Sequence, residues 1–81
     1  MPKIFEINGY KIFFYSKENN EPCHVHITKD YKSVSKVWIE PEIKVAHNSA
    51  QIPHKDLKNI LDILKVQRKA ILQQWNKFFS K

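Results

Sequence analysis

The chain has 81 residues, of which 42% are apolar, with one cysteine, one glycine and a formal net charge of +6. A chain of this length makes a single domain, buries only about 60–65% of its unfolded surface and has no room for a deep multi-substrate cleft. The lone Cys23 excludes an internal disulfide, no apolar run approaches the roughly 20 residues that span a bilayer, and the first residues, Met-Pro-Lys-Ile-Phe-Glu, lack the apolar stretch of a signal peptide, so the expectation is a soluble cytoplasmic protein without membrane contact.

The charge is unevenly placed. Residues 1–42 hold six lysines and six acids, which cancel, whereas residues 43–81 hold eight Lys or Arg against Asp56 and Asp62. The whole excess therefore lies in the second half, which suits a nucleic acid or an acidic protein, or else a solvated lysine-rich helix face.

In chain order, Lys3 to Ile7 and Tyr10 to Tyr15 flank Asn8-Gly9. Asn-Gly between β-prone runs predicts a two-residue hairpin, because a type I′ turn needs positive φ at both central residues. That loop sets the register: Ile7 faces Tyr10, Glu6 faces Lys11, Phe5 faces Ile12 and Ile4 faces Phe13. Alternation then puts Phe5, Ile7, Tyr10, Ile12 and Phe14 on a core face and Ile4, Glu6, Lys11, Phe13 and Tyr15 on a mixed one. Ser16 to Pro22 reads as a polar loop.

Cys23 to Thr28 predicts a third strand with Cys23, Val25 and Ile27 on the core face, which sends His24 and His26 to the other. The expectation is that both rings are substantially exposed there. Val34 to Glu40 predicts a fourth strand, with Ser35, Val37 and Ile39 inward and Val34, Lys36, Trp38 and Glu40 outward. Pro41 ends it, since proline cannot donate to a ladder. Glu42 to Ile52 is ambiguous, with Ile43-Lys44-Val45 either an edge strand or a helical turn.

From Pro53 to about Phe79 the apolar period becomes helical. Leu57, Ile60, Leu61, Leu64, Ile71, Trp75 and Phe78 follow it, with one break at Arg68. Without an internal Gly or Pro this predicts one long helix of about 26 residues, roughly 39 Å. That is longer than a four-stranded sheet is wide, so the end bearing Trp75, Phe78 and Phe79 is expected to overhang and meet a partner. The predicted architecture is α+β: an antiparallel meander of about four strands (3–40) with one long C-terminal helix (about 53–79) packed on one face, all in one domain.

The face away from the helix gathers residues with chemical capacity, and three readings compete. Exposed aromatics stack bases and cations meet phosphates, at about 1–3 kcal/mol per stacked base, so an RNA-binding face is one. Against it, the same aromatics serve equally well to pack a partner or a second copy of the chain. The second reading is metal-independent RNA cleavage, which needs a base, an acid and a cation. Two histidines two residues apart on a strand lie about 6.6 Å apart and are spaced to flank one phosphate, with Lys36 or Lys11 as the cation. The bland alternative is a polar strand edge. The third is metal binding, which needs a further ligand besides His24 and His26. Cys23 points the other way, so Glu21, His47 or His54 would have to supply it.

The residues read as catalytic are His24, His26, Tyr15 and Lys36; those read as nucleic-acid-binding are Trp38, Phe13, Lys11, Lys44 and Arg68. No metal set and no cofactor is expected. Glycine-rich phosphate loops, Cys-x-x-Cys, His-Glu-x-x-His and Gly-x-Ser-x-Gly are absent.

Met1-Pro2-Lys3-Ile4-Phe5, Asn8-Gly9-Tyr10, Phe14-Tyr15-Ser16, Glu21-Pro22 with His24-Val25-His26, and Trp38-Ile39-Glu40-Pro41, followed by a long C-terminal helix, resemble the small bacterial proteins of domain-of-unknown-function family 4160. The resemblance covers nearly the whole chain. It implies one component of a two-gene module beside a second small protein, of the toxin–antitoxin type, and hence a toxin acting on RNA or translation with an antitoxin-like partner. The chain departs from the family where Cys23 replaces a second Pro or another residue, which argues against a cysteine ligand or nucleophile, and at Ile52-Pro53, where a Ser-Pro-type cap is usual. The leading expectation is thus a toxin-like component acting on RNA through the His/aromatic/basic face, with ribonuclease activity left open. The alternative is a non-enzymatic interaction or dimerisation module.

Overall fold

The computed structural model describes residues 3–15 and 20–79. Five strands, β1 (Lys3–Ile7), β2 (Tyr10–Phe13), β3 (His24–Thr28), β4 (Ser35–Trp38) and β5 (Lys44–His47), precede two helices, α1 (His54–Val66) and α2 (Arg68–Phe78). The sheet is an antiparallel meander with spatial order β1-β2-β3-β4-β5. The α+β class and the meander follow from the sequence. Of the polar loop expected over Ser16 to Pro22, positions 16–19 lie outside the described residues.

The hairpin forms because Asn8 and Gly9 both take positive φ, 51° and 85°. Ile7 pairs with Tyr10, Glu6 with Lys11 and Phe5 with Ile12, as the two-residue loop dictates. The expected Ile4–Phe13 pair does not form: Phe13 pairs with Lys3 and an irregularity falls between Lys3 and Phe5. Such an irregularity re-aims the side chains beyond it.

The core lies between the sheet and the helices. Ile12, Phe14, Cys23, Val25, Ile27, Val37 and Ile39 meet Ile60, Leu64, Ile71 and Trp75. Each helix buries two residues deeply, Ile60 and Leu64 in α1 and Ile71 and Trp75 in α2.

The single helix expected over 53–79 is two. The chain leaves helical geometry at Gln67 (φ −94°, ψ 7°), although Gln67 N–H still donates to Ile63 O and Ile71 N–H to Gln67 O. No Pro or Gly causes the bend. Instead the Arg68 guanidinium is anchored, donating from Nε to Ile39 O at 3.0 Å and from Nη2 to Pro41 O at 3.2 Å. Beyond the break α2 packs on the core, burying Ile71 and Trp75. The expected overhang is therefore corrected: Trp75 is buried edge-on to Phe14 at 5.1 Å and Phe79 packs on Trp75 at 4.3 Å, while Phe78 stays exposed.

The ambiguous stretch resolves into the edge strand β5 and a knotted turn. The Asn48 side chain accepts from Ile52 N–H and from the Ser35 hydroxyl and donates to Ile52 O, and the Ser35 hydroxyl also accepts from Ala50 N–H. At the start of α1 the Tyr10 hydroxyl donates to Asp56 Oδ2 at 3.0 Å, tying hairpin to helix. Burial, then the hydrogen bond to Asp56 and its charge, raise the Tyr10 phenol above its ordinary value. Among the described residues no helix is long and apolar enough to cross a membrane.

Candidate functional site

β3 is the middle strand, and every one of its five residues is buried. Alternation assigns the faces as expected: Val25 and Ile27 join the apolar core, and the cross-strand neighbours of the histidines lie on the other face. His24 pairs with Trp38, and His26 pairs with Lys36 on one side and Phe13 on the other.

Exposure is where the expectation fails. The His24 ring is 0% exposed and that of His26 is 5%. The reason is that the second face is itself covered. Tyr15 lies 4.2 Å from the His26 ring and Phe13 5.7 Å. Trp38 lies 5.4 Å from the His24 ring, and Trp75, brought round by the bend in α2, lies 5.1 Å from it.

The two imidazoles meet edge to face at 5.1 Å between centroids. His24 Nδ1 lies 2.8 Å from Pro22 O. A carbonyl only accepts, so Nδ1 carries a proton and donates it. Nε2 is thereby turned toward Glu21 Oε1, 4.0 Å away. Glu21 also takes the Lys36 ammonium, which donates to Oε2 at 2.9 Å and Oε1 at 3.1 Å. The same ammonium stands 4.2 Å from the centre of the Trp38 ring. Lys36 is 15% exposed and Glu21 40%, so the carboxylate forms the outer surface of this group and the ammonium lies beneath it.

The structure thus brings His24, His26, Tyr15 and Lys36 into one contiguous group, with Glu21 added. Of the residues read as nucleic-acid-binding, Trp38 is half-buried within the group and Lys44 exposed beside it. Phe13 is buried under Tyr15 and Tyr31, which removes it as a base-stacking surface. Lys11 donates to Lys29 O at 3.2 Å with Tyr31 beneath it. Arg68 is occupied by the carbonyls of Ile39 and Pro41, so its guanidinium acts as a tether.

Among the described residues no three His, Cys, Asp or Glu side chains come together as a metal-binding group. Cys23 is buried in the core, and His47 Nδ1 shares a hydrogen bond with the Ser49 hydroxyl. A pocket of about 250 Å³ opens beside Trp38, lined by Pro22, Trp38, Glu40, Pro41, Glu42 and Lys44.

Sequence reasoning missed Glu21 as the ion-pair partner of Lys36 standing 4.0 Å from His24 Nε2, and Trp75 as the cover of His24. Glu21 precedes His24 by three positions in a loop, where no periodicity marks a contact. Trp75 read as an ordinary member of an apolar helix stripe, which it also is.

No curated protein and no solved structure matches the chain. The family described as Domain of unknown function (DUF4160) matches over residues 9–76, a span that runs from Gly9 of the hairpin turn through Glu21, the histidine strand and the whole of α1 to Asn76 near the end of α2. With most of its length matched in this way, the chain belongs to the DUF4160 family.

Proposed function

We propose that the protein is a toxin-like component of a two-protein, toxin–antitoxin-type module, acting on RNA in the cytoplasm through the group around His24, His26, Tyr15 and Lys36. The observation that supports this reading is the convergence of two imidazoles, a phenol, an ammonium and a carboxylate on the side of β3 opposite Val25 and Ile27, where Trp75 of the core reaches the His24 ring. Burying imidazoles costs more than burying apolar side chains of similar size, so folding alone does not call for this composition. Cleavage of RNA without a metal needs a base, an acid and a cation within reach of one phosphate. The imidazoles would serve as base and acid, and Lys36 would meet the phosphate.

Glu21 is the group that must yield. Its partly exposed ion pair with Lys36 is worth about 1 kcal/mol or less, so an incoming phosphate displaces the carboxylate at small cost and takes its place on the ammonium. Tyr15 covers His26 and must shift as well.

The burial of both rings favours a second reading, a non-enzymatic module that binds its cognate small protein and uses the histidines as packing. Purified protein incubated with RNA, with and without a chelator, separates the two. Chelator-resistant cleavage supports the first reading. Intact RNA, together with a tight complex with the cognate protein, supports the second.

A further inference from the structure

The pocket beside Trp38 has a composition that an apolar packing defect would not need. Among its lining residues Trp38, Pro22 and Pro41 bring flat and apolar rings, and Glu40, Glu42 and Lys44 bring two carboxylates and an ammonium. At about 250 Å³ it falls below the range typical of sites for drug-sized ligands, and suits a single flat ring system. Trp38 also borders the histidine group, with the His24 ring at 5.4 Å and the Lys36 ammonium at 4.2 Å from its own ring. A ligand in the pocket is therefore separated from the candidate reacting groups by one indole.

The two carboxylates differ. Glu40 Oε1 already accepts from Cys23 N–H at 3.3 Å, whereas Glu42 is exposed on the rim. A carboxylate offers acceptors only. Bidentate recognition by Glu42 therefore demands two parallel donors on one edge of the ligand. Among the RNA bases guanine alone carries them on its Watson–Crick edge, at N1 and the exocyclic N2; adenine, cytosine and uracil each pair a donor with an acceptor there. A flat base against Trp38 follows the ordinary mode of single-stranded RNA recognition, stacking with hydrogen bonds to the splayed-out edge. Lys44 lies where a phosphate would be drawn. A cationic side chain from a protein partner would find the carboxylates but would be opposed by Lys44, and it is the competing occupant in the test; Lys36, held by Glu21, does not weigh on the choice.

We infer that the pocket formed by Trp38, Glu42 and Lys44 is a guanine subsite for single-stranded RNA. Trp38 is the stacking wall, Glu42 the base-reading group and Lys44 the phosphate contact. This rests on the RNA reading of the neighbouring histidine group and adds base selectivity to it.

The test titrates the full chain with 5′-GMP, 5′-AMP, 5′-CMP, 5′-UMP and, separately, N-acetyl-arginine amide, following the tryptophan indole N–H resonances by NMR, with Trp38→Phe to assign Trp38. The expected result is a saturable shift of the Trp38 indole with GMP, at an affinity about tenfold or more above the other nucleotides. Glu42→Gln, with an unchanged melting temperature, should remove that preference, and Lys44→Ala should weaken GMP but not guanosine. Equal shifts with all four nucleotides, no shift with any, or a response to the arginine amide in place of GMP would each overturn the subsite. RNA cleavage is assayed separately. Guanine binding by a protein that leaves RNA intact counts against the catalytic reading alone, and cleavage without guanine preference counts against the subsite alone.

Discussion

His24 Nδ1 donates to the carbonyl oxygen of Pro22 at 2.8 Å, so the ring is fixed from the loop that leads into its own strand. The bond orients Nε2 toward Glu21 and makes the ring part of the packing between Trp38 and Trp75. One side chain thus has both a structural and a candidate chemical role, and the variants that separate them follow from the geometry.

His24→Ala removes a buried ring and leaves the Pro22 carbonyl without its donor. It should destabilise the protein by about 2–4 kcal/mol. An exposed histidine would have cost almost nothing, so a chemical denaturation curve that does not move contradicts the burial. His24→Asn places an amide N–H near the position of Nδ1 and has nothing at the position of Nε2. It should recover a large part of that stability while abolishing any activity on RNA.

Leu64 is fully buried between α1 and the sheet. Leu64→Ala should cost about 2–5 kcal/mol through lost transfer energy and the cavity left behind. A melting temperature unchanged within about a degree would mean that α1 packs in another phase.

The hairpin, the four strands through β4 and the helical face were legible because each rests on local rules. Asn8-Gly9 demands its turn, alternation sorts β3 and β4, and the 3.6 period runs through Ile60, Leu64, Ile71 and Trp75. β5 was legible only as one of two alternatives, edge strand or helical turn, because Lys44–His47 has only Val45 half-buried and so carries no apolar stripe. The bend at Gln67 was illegible because its anchor, Arg68 on the carbonyls of Ile39 and Pro41, is a long-range contact without a Gly or Pro to announce it. For the site, alternation told which face His24 and His26 share but not what covers that face. The cover comes from Tyr15, Glu21 and Trp75, which lie in a strand end, a loop and a distant helix.

Tyr10 gives a pH dependence. Its phenol ionises above its ordinary value in the folded chain because of burial and Asp56. The unfolded chain loses that proton near pH 10, and the folded chain only at higher pH. The stabilisation is therefore complete below about pH 10 and is lost as pH rises through the folded value. Denaturation midpoints of the native chain should fall across that alkaline range, and Tyr10→Phe should flatten the fall while lowering neutral-pH stability by about 1–2 kcal/mol through loss of the bond to Asp56. Parallel alkaline curves for the two proteins would contradict this assignment.

Arg68 separates tether from nucleic-acid contact. Arg68→Ala should cost about 1–3 kcal/mol by leaving the carbonyl of buried Ile39 without its donor, while that of exposed Pro41 turns to water. RNA affinity and its salt slope should stay as they are, because the guanidinium is occupied. Lys44→Ala should behave in the opposite sense, sparing stability and reducing the slope of log affinity against log salt by about 0.7 on a single strand. A reduced slope for Arg68→Ala would return that residue to the binding surface.

The most direct measurement is cleavage of a mixed-sequence single-stranded RNA by the native chain and by His24→Asn and His26→Gln, each with a chelator present and each shown to be folded by its melting curve. The account predicts chelator-resistant cleavage by the native chain and none by either folded variant. RNA left intact by the native chain, or cut equally well by the folded variants, would contradict it.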